Sequence, residues 1–470
     1  MSRALALCLL LALALPASAA AHGIGGIRDL PVPGWLFLVG GATVLVVSFV
    51  ALGALWTKPK LEPGAGRPLP EGLQRFLLSP YLRVVVSGLS LAVFVVVWAA
   101  AAFGSERASA NLAPTFIYIT FWVGMVVASI VLGNVWSVLD PWRAAADAVA
   151  WCVRKAGWSR EARPYPLSLG LWPAVLLLFS FVSLELVYSD PSEPRMLALA
   201  IGVYSVATWT GMAIFGREAW RNNGDGFAVY FGFISRVALI GSRRDADGRT
   251  ELTLRRPLSE LARTEARPGA VAFLAVMLGS VAFDGLSRSS WWFERLYDIE
   301  IRFSDPASAE RAVMLLNLSA LFLAVVIVAT IYTASVKIAE GVVGQRAAFR
   351  GIFVGSLIPI AIVYALSHYV SLLLVSGQFV IPLLSDPYDL GWNVLGTAGF
   401  EPNLTFLKPN TTWYAQVTVL VVGHVLALIV AHDRAVALSP SPKVALRTQY
   451  AMLTLMVIYT VGGMWLLSLD

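Results

Sequence analysis

The sequence predicts an all-α membrane protein, a polytopic bundle of about ten transmembrane helices that follows a cleaved signal peptide. Of its 470 residues, 58% are hydrophobic and 14% are charged, a composition typical of a chain surrounded mostly by lipid. Apolar runs long enough to cross about 30 Å of hydrocarbon recur along the chain. The Lys and Arg residues gather in alternate connections between these runs, which is typical of membrane proteins. These observations exclude a soluble multidomain enzyme and a nucleic-acid-binding protein.

The first segment, residues 1–21, reads as a secretory signal peptide. Arg3 provides the positive start, an apolar stretch too short to span follows, and the alanines at 19–21 match a small-residue cleavage site. Cys8 lies in this leader and Cys152 in a later loop, so the mature chain is expected to contain no internal disulfide.

Residues 22–470 are then expected to form one integral membrane domain. Each predicted span is an uninterrupted apolar run of suitable length. The ten runs lie near 34–56, 82–103, 113–139, 166–187, 195–216, 268–285, 306–335, 350–376, 412–431 and 445–467.

The basic residues predict the orientation. With the processed N-terminus outside, 26 Lys and Arg residues fall in inner loops and 8 in outer ones, as the positive-inside rule requires. This predicts a multi-pass protein of an inner (cytoplasmic) membrane, with loop 217–267 in the cytoplasm and loops 286–305 and 378–411 outside. Within the inner loop, the apolar run 227–234 is too short to cross and suits a helix on the membrane surface. A hairpin is expected at 243–256.

Ionisable side chains inside spans are costly and are therefore candidates for function. His368 and His424 fall on consecutive spans that share one outer connection, so their helices should pack as antiparallel neighbours. Their depths differ by about 5–8 Å at 1.5 Å per residue. Glu185 and Asp284 occupy the same outer third of the bundle. We expect a polar site between the sixth, eighth and ninth spans, with Asp284 and Glu185 as catalytic candidates and the two histidines as metal or cofactor ligands.

Each candidate has a structural alternative. The carboxylates can be boundary groups bonded to a neighbouring helix or to Arg288, and the imidazoles can be neutral groups bonded across helices. His432 lies too deep to share an ion with His424 and is read as part of a polar cluster at the inner boundary. Asp140 is read as a helix exit.

His22 is a further metal candidate. Cleavage after residue 21 would make it the N-terminus, where its amine and imidazole form a chelating pair that suits copper. The alternative is a short polar terminus without function.

Several stretches, taken in order along nearly the whole chain, resemble a family of bacterial polytopic membrane proteins labelled fenitrothion hydrolases. The resemblance implies hydrolysis of an organophosphorus ester, a small-molecule substrate and a second protein subunit. It brings no catalytic motif to transfer residue by residue. The stretches are His22 to Gly26, Asp29 to Pro33, Asn134-Val135-Trp136, Asp140-Pro141-Trp142-Arg143, Gly279 to Ser287, Ser367-His368-Tyr369, Gly423-His424 and Ala431 to Arg434.

Three functions remain open from the residues. A hydrolase would use a divalent metal, held by His and carboxylate, to activate water. A transporter or permease component would use the same groups as a proton or metal relay. A third alternative is haem b held by His368 and His424. Serine-hydrolase, Walker and zincin motifs are absent from the sequence.

Overall fold

A computed structural model describes most of the chain. It covers residues 34–61, 66–157, 161–244, 247–264, 267–343, 353–405 and 407–467. The expected signal peptide and His22 lie outside the described residues.

The described residues are overwhelmingly helical, as the sequence predicts, because an apolar chain in lipid must satisfy its backbone hydrogen bonds internally. The first half contains the helices α1 (Gly34–Leu55), α2 (Glu71–Leu77), α3 (Pro80–Phe103), α4 (Leu112–Thr115), a π-helix (Phe116–Gly124), α5 (Met125–Leu132), α6 (Trp136–Leu139), α7 (Pro141–Lys155), α8 (Trp172–Leu186), α9 (Pro194–Phe215), α10 (Arg217–Asn223) and α11 (Gly226–Ile234). The second half contains α12 (Ala270–Ser287), α13 (Ser290–Glu300), α14 (Pro306–Val343), α15 (Val354–Val375), α16 (Val380–Ser385), α17 (Pro409–Leu438), α18 (Pro442–Thr448) and α19 (Tyr450–Leu467).

Within the described ranges, eight helices are long and apolar enough to cross a membrane, or nine if the bent pair α18 and α19 forms one span. These confirm an all-α membrane bundle, with slightly fewer full-length spans than predicted. The difference lies in the expected span at 166–187, where α8 has only 15 residues. At 1.5 Å per residue its length is about 22 Å, less than the hydrocarbon core.

The two ends of the bundle carry different structures. At one end, which we call the loop end, the segment after α3 contacts the segment after α16: Ser105 donates its backbone N–H to the carbonyl of Tyr388 at 3.2 Å. At the other end, which we call the hairpin end, three strands pair antiparallel in the order β1 (Arg67–Pro68), β3 (Thr250–Leu254), β2 (Ile240–Arg244). The β2–β3 pair confirms the predicted hairpin.

The segment α10–α11 differs from the sequence prediction of a surface helix. Of its nine residues, α11 buries all but Gly232. Phe231 and Ile234 are fully enclosed, and α11 packs against α5, α8 and α15. The prediction was wrong because an apolar run of eight residues is equally suited to a membrane surface and to the inside of a bundle.

Helix α12 lies at the centre and packs against α8, α14 and α15. Gly279 permits the close approach to α14, since a Cβ at this position would lie 2.8 Å from the Cα of Val325. Helices α15 and α17 form the most extensive helix pair. Gly423 has the same role there, facing the side chain of Val363. The small residues therefore bring α12 close to α14, and α17 close to α15.

Candidate functional site

Asp284 is the centre of a buried hydrogen-bond network near the loop end of α12. Only 4% of its surface is exposed. The hydroxyl of Tyr369 donates to Asp284 Oδ2 at 2.7 Å, and His368 Nε2 lies 2.7 Å from the same oxygen. Both partners come from α15, which packs directly against α12. An ionised carboxylate only accepts hydrogen bonds, so the imidazole donates its Nε2–H.

Arg288 lies one helical turn beyond Asp284 and completes the network. Its Nε donates to Asp284 Oδ1 at 3.2 Å, and its side chain is 55% exposed. The arginine therefore connects the buried carboxylate to the loop end of the bundle. The alternative reading of Asp284, a boundary carboxylate bonded to Arg288, describes part of this geometry, but the contacts to α15 go beyond it.

Glu185 lies close to Tyr369. It is partly buried and lines a small pocket with Tyr369, Tyr230 and Trp122. The free space is about 10 Å³, enough for about one water molecule. The structure thus brings together three of the predicted site residues, Asp284, His368 and Glu185, at the interface of α8, α12 and α15.

His424 occupies a different environment. Its Nδ1 lies 2.8 Å from the carbonyl oxygen of Leu420, and its ring packs edge-on against Tyr364 at a centroid distance of 5.9 Å. Among the described residues, its buried Nε2 has no hydrogen-bond partner. Tyr364 lies one turn from His368 on α15, so the ring contact of His424 is to a different residue of that helix. The depth difference between the two histidines stays a prediction.

The expected metal site finds no support in the described part of the chain, where no group of three or more His, Cys, Asp or Glu side chains is placed to hold a metal ion. Asp284 is bonded to His368, Tyr369 and Arg288, while His424 has separate contacts. His22, the third metal candidate, lies outside the described residues.

His432 belongs to a buried structural cluster at the hairpin end. Its Nδ1 lies 2.9 Å from Gln449 Oε1, and its Nε2 lies 3.0 Å from the carbonyl of Trp56. The neighbouring Asp433 accepts the backbone N–H groups of Lys60 and Leu61 at 2.6 and 3.1 Å. These bonds tie the chain after α1 to α17, which agrees with the structural reading of this polar group.

Sequence reasoning missed a further buried polar group, formed by Asp140, Arg221 and Asp225. Arg221 donates from Nε to Asp140 Oδ2 at 3.0 Å, and both side chains are at least nine-tenths buried. Asp225 caps α11 by accepting the N–H of Ala228 at 3.0 Å, and it also accepts the hydroxyl of Tyr204 at 2.7 Å. The available signal was Asp225-Gly226 directly before an apolar run, a typical helix start.

The fold and these sites define a helical membrane protein whose described part holds several buried polar clusters inside the bundle. Comparison with known proteins finds no matching family model, no matching curated protein and no matching solved structure. The resemblance to fenitrothion hydrolases therefore stays a prediction.

Proposed function

We propose that this chain is a proton-coupled transporter or permease component in which Asp284 binds the proton. The observation that carries the proposal is the enclosed carboxylate of Asp284, which contacts an imidazole and a phenol at 2.7 Å each. Buried carboxylate and histidine groups in membrane helices are the usual components of proton relays.

The surroundings of Asp284 stabilise its ionised form, so that binding of a proton would change its contacts. Ionised Asp284 is neutralised by Arg288, and its hydrogen bonds to His368 and Tyr369 stabilise the charge. When a proton from the loop end binds to Asp284, the ion pair with Arg288 loses its attraction. The proton can then leave toward Glu185, whose pocket is lined by Tyr369 and holds space for a bridging water.

Proton flux into sealed vesicles tests the proposal. Purified protein is reconstituted with a pH-sensitive dye inside, and an inward proton gradient is imposed. We expect Asp284→Asn to reduce the protein-dependent flux by about a hundredfold, the contribution typical of a positioned proton-transfer group.

Asp305→Asn is the matched control for this measurement. Asp305 lies at the loop end and accepts hydrogen bonds from Ser308 N and Oγ at 3.0 and 2.6 Å. Asn retains this capping role, so the flux should stay at the wild-type rate. A wild-type rate in Asp284→Asn would refute the proposal.

A metal-independent hydrolase is the second candidate, favoured by one observation. The His368 imidazole is held by the Asp284 carboxylate at 2.7 Å, the arrangement that orients a general base toward water. Attack of that water on an organophosphorus triester would release an alcohol or phenol and leave a phosphodiester. Turnover of a chromogenic triester in detergent with EDTA, lost in His368→Gln, would favour this candidate. A transporter would show no such turnover.

We also propose that the loop end faces outside an inner membrane, as the distribution of Lys and Arg indicates. Reporter fusions after Arg256 and Lys408 should then lie on opposite sides, and finding both on one side would overturn the topology. The second subunit implied by the family resemblance can be sought as a co-purifying protein in mild detergent.

A further inference from the structure

The segment α10–α11 enters the bundle from the hairpin end and places Asp225 beside α9. Helix α10 runs back along α9, with the ring of Trp220 stacked on Phe215 at a centroid distance of 6.2 Å. Asp225 then reaches Tyr204, more than two turns before the end of α9. A buried acidic side chain is therefore carried well into the bundle on a segment that does not span it.

Asp225 and Asp140 form one acidic pair around Arg221. Asp225 is fully buried, and its Oδ2 has no hydrogen-bond partner among the described residues. Oδ1 holds both of the bonds that cap α11 and bind Tyr204. Arg221 contacts Asp140 at 3.0 Å, and its charge also acts on Asp225. One buried cation thus serves two buried carboxyl groups.

The charges around this pair lead outward to the hairpin end. Arg143, whose backbone N–H donates to Asp140 at 3.0 Å, pairs with Glu218 at 2.7 Å. Glu218 also contacts Arg221 at 3.4 Å, and its side chain is 61% exposed. The charge of Arg83 on α3 acts on Arg143 as well. These groups connect the acidic pair with solvent at the hairpin end.

The acidic pair favours binding of a proton. Burial, followed by the nearby charge of Asp225, raises the pKa of Asp140 to about 7, although Arg221 and Arg143 act in the opposite direction. Burial likewise raises the pKa of Asp225. Because Arg143 is paired with Glu218, two ionised carboxylates beside Arg221 would leave an excess negative charge, which a proton removes.

Helix α11 links this pair to the Glu185 pocket. Asp225 precedes the first residue of α11, and Tyr230, about 7.5 Å further along the axis at 1.5 Å per residue, lines the pocket of Glu185. Between them lies the ring of Phe227, 4.9 Å from the ring of Tyr204 and 6.3 Å from that of Trp122. The two polar sites are close together but separated by aromatic rings.

We infer that Asp225, together with Asp140, is a second proton-binding site that exchanges protons with the hairpin end, and that Phe227 forms part of the barrier between it and the Glu185–Asp284 site. This inference rests on the proposed role of Asp284 as the proton site nearer the loop end. A proton taken up at one site is passed to the other only when the barrier opens.

Infrared titration of the purified protein tests the second site directly. Asp225→Asn keeps the cap of α11 and an acceptor for Tyr204, because Asn is as good an N-cap as Asp, but it cannot titrate. We expect the pH-difference spectrum to lose one protonated-carboxyl band. The matched control is Asp147→Asn, whose 44% exposed side chain pairs with Arg217 at the hairpin end; this variant should retain the band. A spectrum unchanged by Asp225→Asn overturns the inference.

Vesicle flux separates failure of this inference from failure of the proposed function. If Asp284→Asn and Asp225→Asn each abolish the flux, the role of Asp284 and the second proton-binding site are both supported. If Asp225→Asn keeps the wild-type flux, the second site is refuted and the role of Asp284 stands. If the wild-type protein moves no protons, the proposed function fails, and the infrared titration alone decides whether Asp225 binds a proton.

The barrier has its own test. Phe227→Ala should produce a proton leak that does not saturate with the gradient, because it opens the aromatic separation. Phe233→Ala removes an equally buried ring from the same helix, but this ring packs against Phe273 at 5.6 Å and lies outside the separation. The Phe233→Ala control should show no added proton leak. Equal leaks in both variants would overturn the role of Phe227.

Discussion

The buried Asp140 should make the stability of the protein depend on pH in an unusual direction. Its pKa is raised from an ordinary 3.8 to about 7, chiefly by burial and next by the charge of Asp225. Between these values the native state holds a proton that the unfolded state has lost. Stability therefore falls as the pH rises through this window and levels off above about pH 7.

The size of the effect follows from the same values. Each pH unit inside the window is worth about 1.4 kcal/mol, so Asp140 contributes a loss of at most about 3 kcal/mol between pH 5 and pH 8. Asp140→Asn retains an acceptor for the N–H of Arg143 but loses the oxygen that accepts from Arg221, and it removes the titration. Between pH 5 and pH 8, the free energy of unfolding should therefore fall by about 1–3 kcal/mol less in the variant than in the wild type.

Unfolding by sodium dodecyl sulfate in mixed micelles, followed by circular dichroism at several pH values, measures this difference. The control is Asp147→Asn. It removes an exposed carboxylate from α7, the helix that Asp140 caps. This variant measures the effect of losing one exposed carboxylate. If the difference between the wild type and Asp140→Asn is constant from pH 5 to pH 8, the burial argument for Asp140 is wrong.

Two further predictions follow from the packing. His368→Gln should slow proton flux by at least about tenfold, because it removes a group that contacts the proton-binding carboxylate. His424→Gln should leave the flux unchanged. Equal losses of flux in a vesicle assay would show that the two histidines act as one site. Gly279→Ala should destabilise the bundle by about 1–3 kcal/mol through overpacking, while Gly202→Ala, whose added methyl meets nothing within 4 Å, should be neutral or stabilising by up to about 1 kcal/mol. The unfolding midpoints of Gly279→Ala and Gly202→Ala measure this difference. Similar midpoints would contradict the close approach of α12 to α14 at Gly279.

The sequence by itself determined the class of the protein. Apolar runs have one stable form in lipid, so their lengths predicted the helices of the bundle. Residue spacing along a helix predicts depth at 1.5 Å per residue, and the offset between His368 and His424 stays a prediction of this kind. It also predicted Asp284 as a site residue, because charges within spans are rare and costly.

Only the tertiary structure decided which groups meet. The rotation of each helix about its axis, and its choice of neighbours, depend on packing contacts such as that of Gly279 on α14. Packing therefore places the carboxylate of Asp284 in contact with His368 and Tyr369, and the ring of His424 in contact with Tyr364. It also drew α11 into the bundle, which brought Asp225 to Tyr204. A short apolar run is stable at the membrane surface and inside the bundle. Its location is decided by the aromatic rings that surround it, and these come from distant parts of the chain.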